Sequence, residues 1–390
     1  MGVVTTPPAP VHLKDLDREG LRALLAGWGE PAYRGDQVFR ALWRRGGTDP
    51  LAWTDLPLAL RQRLARETVV EELEPSAQSV AGDGTTKLLV GLPGGTPGEA
   101  GRDVECVIIP DQDRRTLCVS TQVGCAMGCT FGRTATMGLV RHLRPWEIVE
   151  QVLVAERVLE ARGEGRTLQL RGRGQAGKQK RRLTNLVFMG MGEPLHNLEG
   201  TATACRILCD EQGLGFPPRR ITVSTVGLAD KIAPFLERTG VNLAISLNAP
   251  DDATRDALMP VNKRFPIEEL LRVVRELPLG NRRRVTFEYV LLKGVTDEVA
   301  HARASGARLA GVAEKIKVNL IPWNPHEGAS FARPEEARVE AFRSALRASG
   351  VESIHVRRPR GDRILAACGQ LALEKGQGRG RPLQTVASGG

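Results

Sequence analysis

From about residue 117 onward, short runs of branched and aromatic residues alternate with longer segments of helical periodicity. Strand-like runs fall at 117–121, 185–189, 220–225, 241–247, 284–291, 315–321 and 352–357. The clearest helix is 145–161, where Ile148, Val149, Val152, Leu153 and Leu159 share one face. Strands that alternate with helices must pair in parallel, because the intervening helix carries the chain back to its starting edge. The expected fold class is α/β: a partial, mostly parallel (βα) barrel with an N-terminal helical domain and a small β extension. In such a fold the chemistry sits at the C-terminal ends of the strands. Cys118, Gly190 to Pro194, Ser224, Ser246 and Asn324 all fall there.

The flanks set the expected boundaries. Residues 1–12 are Pro-rich and read as a loose N-terminus. A helical accessory domain is expected over 13–75, with Asp17 as an N-cap ahead of Leu21, Leu24 and Leu25. Val38, Phe39, Leu42 and Trp43 continue the pattern, and Pro57 opens a third helix carrying Leu60 and Leu64. Residues 76–110 read as the β extension, with turns at Gly82–Gly84 and 93–101, and 111–373 as the barrel. The barrel pattern is interrupted at 162–182, where eight Lys/Arg face the single acid Glu164 among glycines. That run cannot pack a core and reads as a flexible basic insertion. The Gly-rich segment 374–390 reads as a disordered tail.

Composition narrows the function. A net charge of +10 points to a polyanionic partner, nucleic acid first, since each neutralised phosphate releases counterions. Aromatics at 4% argue against a base-stacking platform. No apolar run approaches the ~20 residues of a membrane span, and the N-terminus lacks signal-peptide regions, so the cytoplasm and no membrane partner are expected. Seven cysteines, an odd number in a large chain, argue for reduced, metal-binding or catalytic thiols over a disulfide framework. Cys205 and Cys209 stand four apart in a helical pattern and are expected to pack a core, and Cys106 is read as structural. His142, beside the next motif, is a conceivable iron ligand. Arg40, Arg44 and Arg45 are candidate RNA contacts.

Seven motifs then converge. Arg115-Thr-Leu-Cys-Val-Ser-Thr-Gln-Val-Gly-Cys125 leads into Cys125-Ala-Met-Gly-Cys129-Thr-Phe-Gly132, and Met137-Gly-Leu-Val-Arg-His-Leu143 follows. Downstream stand Phe188-Met-Gly-Met-Gly-Glu-Pro194, Ala244-Ile-Ser-Leu-Asn-Ala-Pro250, Asn319-Leu-Ile-Pro-Trp-Asn-Pro325, and Arg360-Gly-Asp with Ala-Ala-Cys368-Gly-Gln370. In this order and spacing the chain resembles the RlmN/Cfr family of radical-SAM RNA methyltransferases, chiefly its RlmN branch, over residues 13–373.

The resemblance implies methylation of carbon 2 of adenine in 23S rRNA and tRNA by a monomer that takes electrons from an external donor. That carbon is not nucleophilic, so simple displacement from S-adenosylmethionine fails. The family's solution uses two molecules of it. Cys368 first becomes S-methylcysteine, and a radical made at a 4Fe–4S cluster then activates that methyl group for addition to the base. By resemblance Glu105 is the proton acceptor, and Cys118 releases the product by forming a disulfide with Cys368. Gly192, Glu193, Ser224, Ser246, Leu247, Asn248 and Asn324 are implied to hold S-adenosylmethionine; the family has His at position 248. Cys125 and Cys129 match two of the three cluster thiolates. Gly132 stands where the third belongs. Three readings stay open. A substitute ligand such as water, a carboxylate or Cys118 completes the cluster; the chain is a catalytically impaired RNA-binding paralogue; or the gene carries a local lesion.

Overall fold

The computed structural model describes residues 10–93, 103–164, 168–169, 180–280, 283–325, 330–357 and 370–371. Its centre is one ten-stranded sheet. The strands are β1 (Pro75–Val80), β2 (Thr86–Gly91), β3 (Asp103–Asp111), β4 (Arg114–Cys118), β5 (Asn185–Phe188), β6 (Ile221–Thr225), β7 (Asn242–Ser246), β8 (Val285–Leu291), β9 (Ile316–Pro322) and β10 (Ile354–Val356). They lie side by side in chain order. β1 to β4 pair antiparallel, and β4 to β10 pair parallel. β1 and β10 remain the two edges, so the sheet is open. The β extension is therefore continuous with the barrel sheet rather than a separate layer. Parallel strands buried on both faces lose the polar alternation of a half-exposed strand. β8 shows this, with Val285, Phe287, Tyr289 and Leu291 on one face and Thr286 and Glu288 on the other, all buried.

The helices are α1 (Arg18–Gly27), α2 (Tyr33–Trp43), α3 (Leu58–Glu67), α4 (Pro145–Ala161), α5 (Leu198–Cys209), α6 (Ala229–Thr239), α7 (Asp252–Leu258), α8 (Ile267–Glu276), α9 (Val299–Leu309) and α10 (Glu336–Ala348). Asp17 caps α1 as expected, its carboxylate accepting from Gly20 N at 2.9 Å. Pro57 sits at the N-cap of α3 rather than inside it. α4 matches the expected span residue for residue, with Pro145 at its first position and Glu147 accepting from Arg144 N at 2.8 Å. Its buried side also carries Glu147, Glu150 and Gln151, which hydrophobic periodicity does not mark.

Glu150 explains how α1–α3 are held to the barrel. Lys14 Nζ lies 2.6 Å from Glu150 Oε1, with both side chains at most 2% exposed. Lys14 also donates to Glu71 O at 2.8 Å, and Leu73 N donates to Glu150 Oε2 at 3.3 Å. The ring of His12 stacks on Trp146 of α4 at 4.3 Å. Arg206 of α5 reaches Asp17 at 2.6 Å, and Arg18 reaches Asp210 at 2.7 Å. Arginines proposed as RNA contacts make contacts within the fold. Arg40 donates to Gln212 at 2.9 Å, and Arg45 pairs with Asp55 at 2.9 Å.

The basic insertion is described in part. Leu168–Gln169 pairs antiparallel with Lys180–Arg181, a short ladder where the sequence predicts only a flexible loop. Arg162 at its base donates to Gln78 at 2.6 Å and Thr86 at 3.0 Å, and so is tied to the sheet. Segments 165–167 and 170–179, the tail 374–390 and most of 1–12 lie outside the described residues.

Breaking one half of a buried ion pair strands the other charge, which costs about 3–5 kcal/mol. Lys14→Met is expected to lower the unfolding free energy by about that much in urea titration. Lys14→Met/Glu150→Gln should recover part of the loss, because the buried carboxylate, otherwise left with only its longer contact to Arg157 at 3.6 Å, is then gone. Equal losses in the single and double variants would show that packing, not charge, holds this junction.

Candidate active site

The ends of β6 to β9 and the loops that follow β5, β6 and β7 line a cavity of about 170 Å³. Gly192, Glu193, Ser224, Ser246 and Asn248 line it together. Gly192 has φ +101°, and a Cβ there would stand 2.6 Å from Gln122 Cβ, so only glycine fits. Glu193 is buried, and its oxygens accept from Leu195 N at 3.0 Å and Val226 N at 2.8 Å. Its own N–H donates to Gln122 Oε1 at 2.7 Å. Burial pushes the Glu193 carboxyl up to about 7 against the pull of those donors. Asn248 adopts φ +57°, a left-handed conformation that Asn tolerates far better than most residues. Its Oδ1 accepts from Val290 N at 2.9 Å, which pins the loop after β7 to β8. Leu247 and Asn324, both buried, are not among the lining residues.

Glu105 and Cys118 lie on neighbouring antiparallel strands, with Val107 opposite Cys118. Residues two apart share a face, so Glu105, Val107 and Cys118 project to the same side of the sheet. A lone strand Glu is most often solvent-facing, yet Glu105 is 4% exposed and pairs with Lys87 Nζ at 3.1 Å. Ser120 fixes the backbone around it. Its hydroxyl donates to Glu105 O at 2.6 Å and accepts from Met191 N at 2.8 Å, while Gln151 of α4 holds its N–H and carbonyl, each at 2.9 Å. Cys106 projects to the opposite side, and burial pushes its thiol up to about 12. Cys368, and with it the implied Cys118–Cys368 disulfide, lies outside the described residues.

The cysteine loop leaves a hairpin of Gln122–Gly124 against Leu139–His142. Cys125 N donates to Gly138 O at 2.8 Å, Thr130 N to Leu258 O at 3.0 Å, and Trp323 Nε1 to Phe131 O at 3.1 Å. Burial pushes the Cys125 thiol up to about 11 and the Cys129 thiol up to about 12. Gly132 has φ −108° and ψ 128°, ordinary extended backbone, and no described atom lies within 4 Å of where its Cβ would stand. Among the described residues no three His, Cys, Asp or Glu side chains come together to hold a metal. Cys118 and His142 thus do not join Cys125 and Cys129 as a substitute, nor does any carboxylate among the described residues. His142 instead lies 2.8 Å from Gln122 Nε2 and edge-on to His196 at 4.9 Å. Cys205 and Cys209 are packed in α5, as expected. Among the described residues the donor set does not fit a cluster held by three thiolates; Cys368 lies outside them.

Two residues absent from the sequence motifs belong to the site. Glu288 lines the cavity; its Oε1 accepts from Asn319 at 2.9 Å and Arg357 at 3.3 Å, and its buried Oε2 has no hydrogen-bond partner. An orphaned carboxylate oxygen suits a ligand hydroxyl, such as those of a ribose, so the cavity's chemistry fits S-adenosylmethionine. The signal was a lone charge inside the apolar run of β8. Arg255 of α7 is fully buried. It donates to Leu247 O at 3.0 Å, Ser246 O at 2.9 Å, Val226 O at 2.6 Å, Phe265 O at 3.2 Å and Asn262 Oδ1 at 2.7 Å. An arginine in the middle of an amphipathic helix gives no such signal in sequence.

Residues 119–304 match the Radical SAM superfamily, and residues 11–70 match the ribosomal RNA large subunit methyltransferase N-terminal domain. The chain is 47% identical over 366 residues to the dual-specificity RNA methyltransferase RlmN of Anaeromyxobacter dehalogenans, covering 94% of this chain and 93% of that one. It is 44% identical to the probable dual-specificity RNA methyltransferase RlmN of Roseiflexus sp., over 94% and 97%. The crystal structure of a radical SAM methyltransferase from Sphaerobacter thermophilus superposes with a TM-score of 0.77 at 42% identity, over 93% of this chain and 99% of that one. A cavity at the strand ends, the cysteine hairpin beside it and near full-length identity agree: this chain belongs to the RlmN family of radical SAM proteins.

Proposed function

We propose that this protein is an S-adenosylmethionine-dependent RNA methyltransferase acting in the cytoplasm on carbon 2 of adenine in 23S rRNA and tRNA, with Cys368 as the methyl carrier. The observation that carries the reading is the placement of Glu105 and Cys118 on one face of adjoining strands, with Glu105 buried and ion-paired. S-adenosylmethionine supplies the methyl group. Glu288 and Ser224 offer polar groups for its ribose, and Glu193 offers a carboxylate for its ammonium. Lys87 pairs with Glu105 at 3.1 Å and holds its carboxylate in place, and Glu105 takes the proton leaving the base. Cys118 then attacks the Cys368 sulfur; as the disulfide forms, the carbon–sulfur bond breaks, its electron pair passes to the departing carbon, and that carbon takes up a proton to become the new methyl group on the base. The +10 net charge supplies the attraction for RNA.

The second reading, a catalytically impaired RNA-binding paralogue, is favoured by the two-thiolate loop alone. Expression in cells stripped of their own adenine-C2 methylation separates the two. Nucleosides from rRNA and tRNA are then resolved by mass spectrometry with 2- and 8-methyladenosine standards. 2-Methyladenosine is expected, and Cys118→Ala should reduce it by about 100-fold or more. RNA binding with a steep salt dependence but no methylated adenosine would favour the paralogue.

Glu193 sets a pH dependence. Its folded value, about 7, stands above the ordinary 4.5, so the folded chain keeps a proton that the unfolded chain has released. Stability therefore falls as pH rises from about 4.5 to 7, and Glu193→Gln should flatten that slope in pH-dependent denaturation. An arriving ammonium favours the carboxylate. Binding of S-adenosylmethionine should release a proton near pH 6 and tighten toward pH 7, read by calorimetry in buffers of different ionisation enthalpy. No proton release would remove Glu193 from the binding site.

A further inference from the structure

A second and larger cavity, about 700 Å³, opens at the end of the sheet where the parallel strands begin. Arg219, Arg283, Arg284 and Lys317 line it, and no acid does among the described residues. Arg219 lies just before β6, Arg283 and Arg284 just before β8, and Lys317 is the second residue of β9. Asn242, the first residue of β7, lines this cavity, whereas Ser246, four residues on, lines the candidate active site. Four residues of strand span about 13 Å, and side chains four apart share a face. The two cavities therefore lie at opposite ends of one face of the sheet.

Backbone contacts hold these cations in place. Asn242 Nδ2 donates to Arg219 O at 2.9 Å, and Arg283 Nη2 donates to Val241 O at 2.7 Å. The approaches to β6 and β8 are thus tied to the start of β7 before any ligand arrives, which lowers the cost of binding. Elsewhere arginines at the surface meet carboxylates, as Arg238 meets Glu199, Arg272 meets Glu269 and Glu276, and Arg343 meets Glu340. Among the described residues, none of the four cations in this cavity has a carboxylate partner. Lys317 is half-buried, and burial pulls its ammonium below the ordinary value, so an arriving anion would favour its charged form. From β6 to β9 is three strand spacings, about 14 Å. Cations spread that far suit several linked phosphates rather than one free ion.

We propose that this cavity is a second RNA subsite, which grips the phosphate backbone at the end of the sheet remote from the candidate active site. The subsite rests on RNA being the partner, as proposed above, and adds where its backbone is held. A cleft lined by one sign of charge concentrates its field, and each neutralised phosphate releases counterions.

The test is binding of a labelled, mixed-sequence single-stranded RNA to the full chain, followed by fluorescence anisotropy across a salt series. Each phosphate contact on a single strand contributes about 0.7 to the slope of log affinity against log salt, so Arg219→Gln/Arg284→Gln/Lys317→Gln should cut that slope by about 2. Affinity at physiological salt should fall about tenfold or more. Arg284→Gln alone, an exposed change, should cut the slope by about 0.7. Arg238→Gln/Arg272→Gln/Arg343→Gln removes the same charge from carboxylate-paired positions and should change the slope by less than about 1. Unchanged near-ultraviolet circular dichroism shows that the variants fold. Equal losses in the two triple variants would mean that net charge alone acts, and would overturn the subsite. An unchanged slope in the first triple variant, beside a steep one in the natural chain, overturns the subsite and leaves RNA as the partner. Inorganic triphosphate binding that the first triple variant abolishes, with RNA affinity unaltered, would reassign the cavity to small polyphosphates. A natural chain that binds no RNA brings down both the subsite and the proposed function.

Discussion

Seven parallel strands joined in chain order impose one constraint on everything else. Each strand must end at the same edge of the sheet, so the loops after β4 to β9 gather there however far apart they lie in sequence. Glu193, Ser224, Ser246, Asn248 and Glu288 reach one cavity by this route, across nearly a hundred residues of chain. The three antiparallel strands at the other edge extend the same ladder and carry Glu105 to a position beside Cys118. Hydrogen-bond register, rather than contact between the side chains themselves, brings the site together.

Register alone leaves the strand ends free to splay, and buried polar groups tie them. Arg255 spans the exits of β6 and β7 with contacts to Val226, Ser246 and Leu247, and none of its five acceptors is a carboxylate. Its charge is therefore solvated by oriented dipoles and is not cancelled by a partner. Cys129 feels that charge, which favours its thiolate. Glu193 works in the complementary sense, a carboxyl clamped by two backbone amides that join the β5 and β6 loops. Ser120 plays a similar part for Glu105 without any charge.

The fold was legible because it rests on periodicity. The expected strands over 185–189, 220–225, 241–247, 284–291 and 315–321 each fall within a residue or two of β5 to β9. The cavity residues were legible through motifs whose glycines and polar residues follow strands. Glu288 and Arg255 were not. A buried charge is recognisable only once its partners are known, and theirs lie 31 and 69 residues away for Glu288 and on four separate segments for Arg255. The burial of Glu105 was hidden for the same reason, since Lys87 belongs to a different strand. Asn248 carried a readable hint: its type suits a left-handed turn, and the position proved to be one.

The cysteine loop shows why a ligand can be lost without the fold recording it. The loop is braced by Cys125 N on Gly138 O, Thr130 N on Leu258 O and Trp323 on Phe131 O. None of these contacts involves the side chain at position 132. Packing around Leu258, Met259 and Trp323 supports Cys129 and Phe131 from below. Scaffold and ligation are thus separable, since hydrogen bonds and apolar burial set the shape while thiolates alone set metal affinity. Replacing a cysteine by glycine in extended backbone removes a strong iron bond but leaves every bracing contact in place.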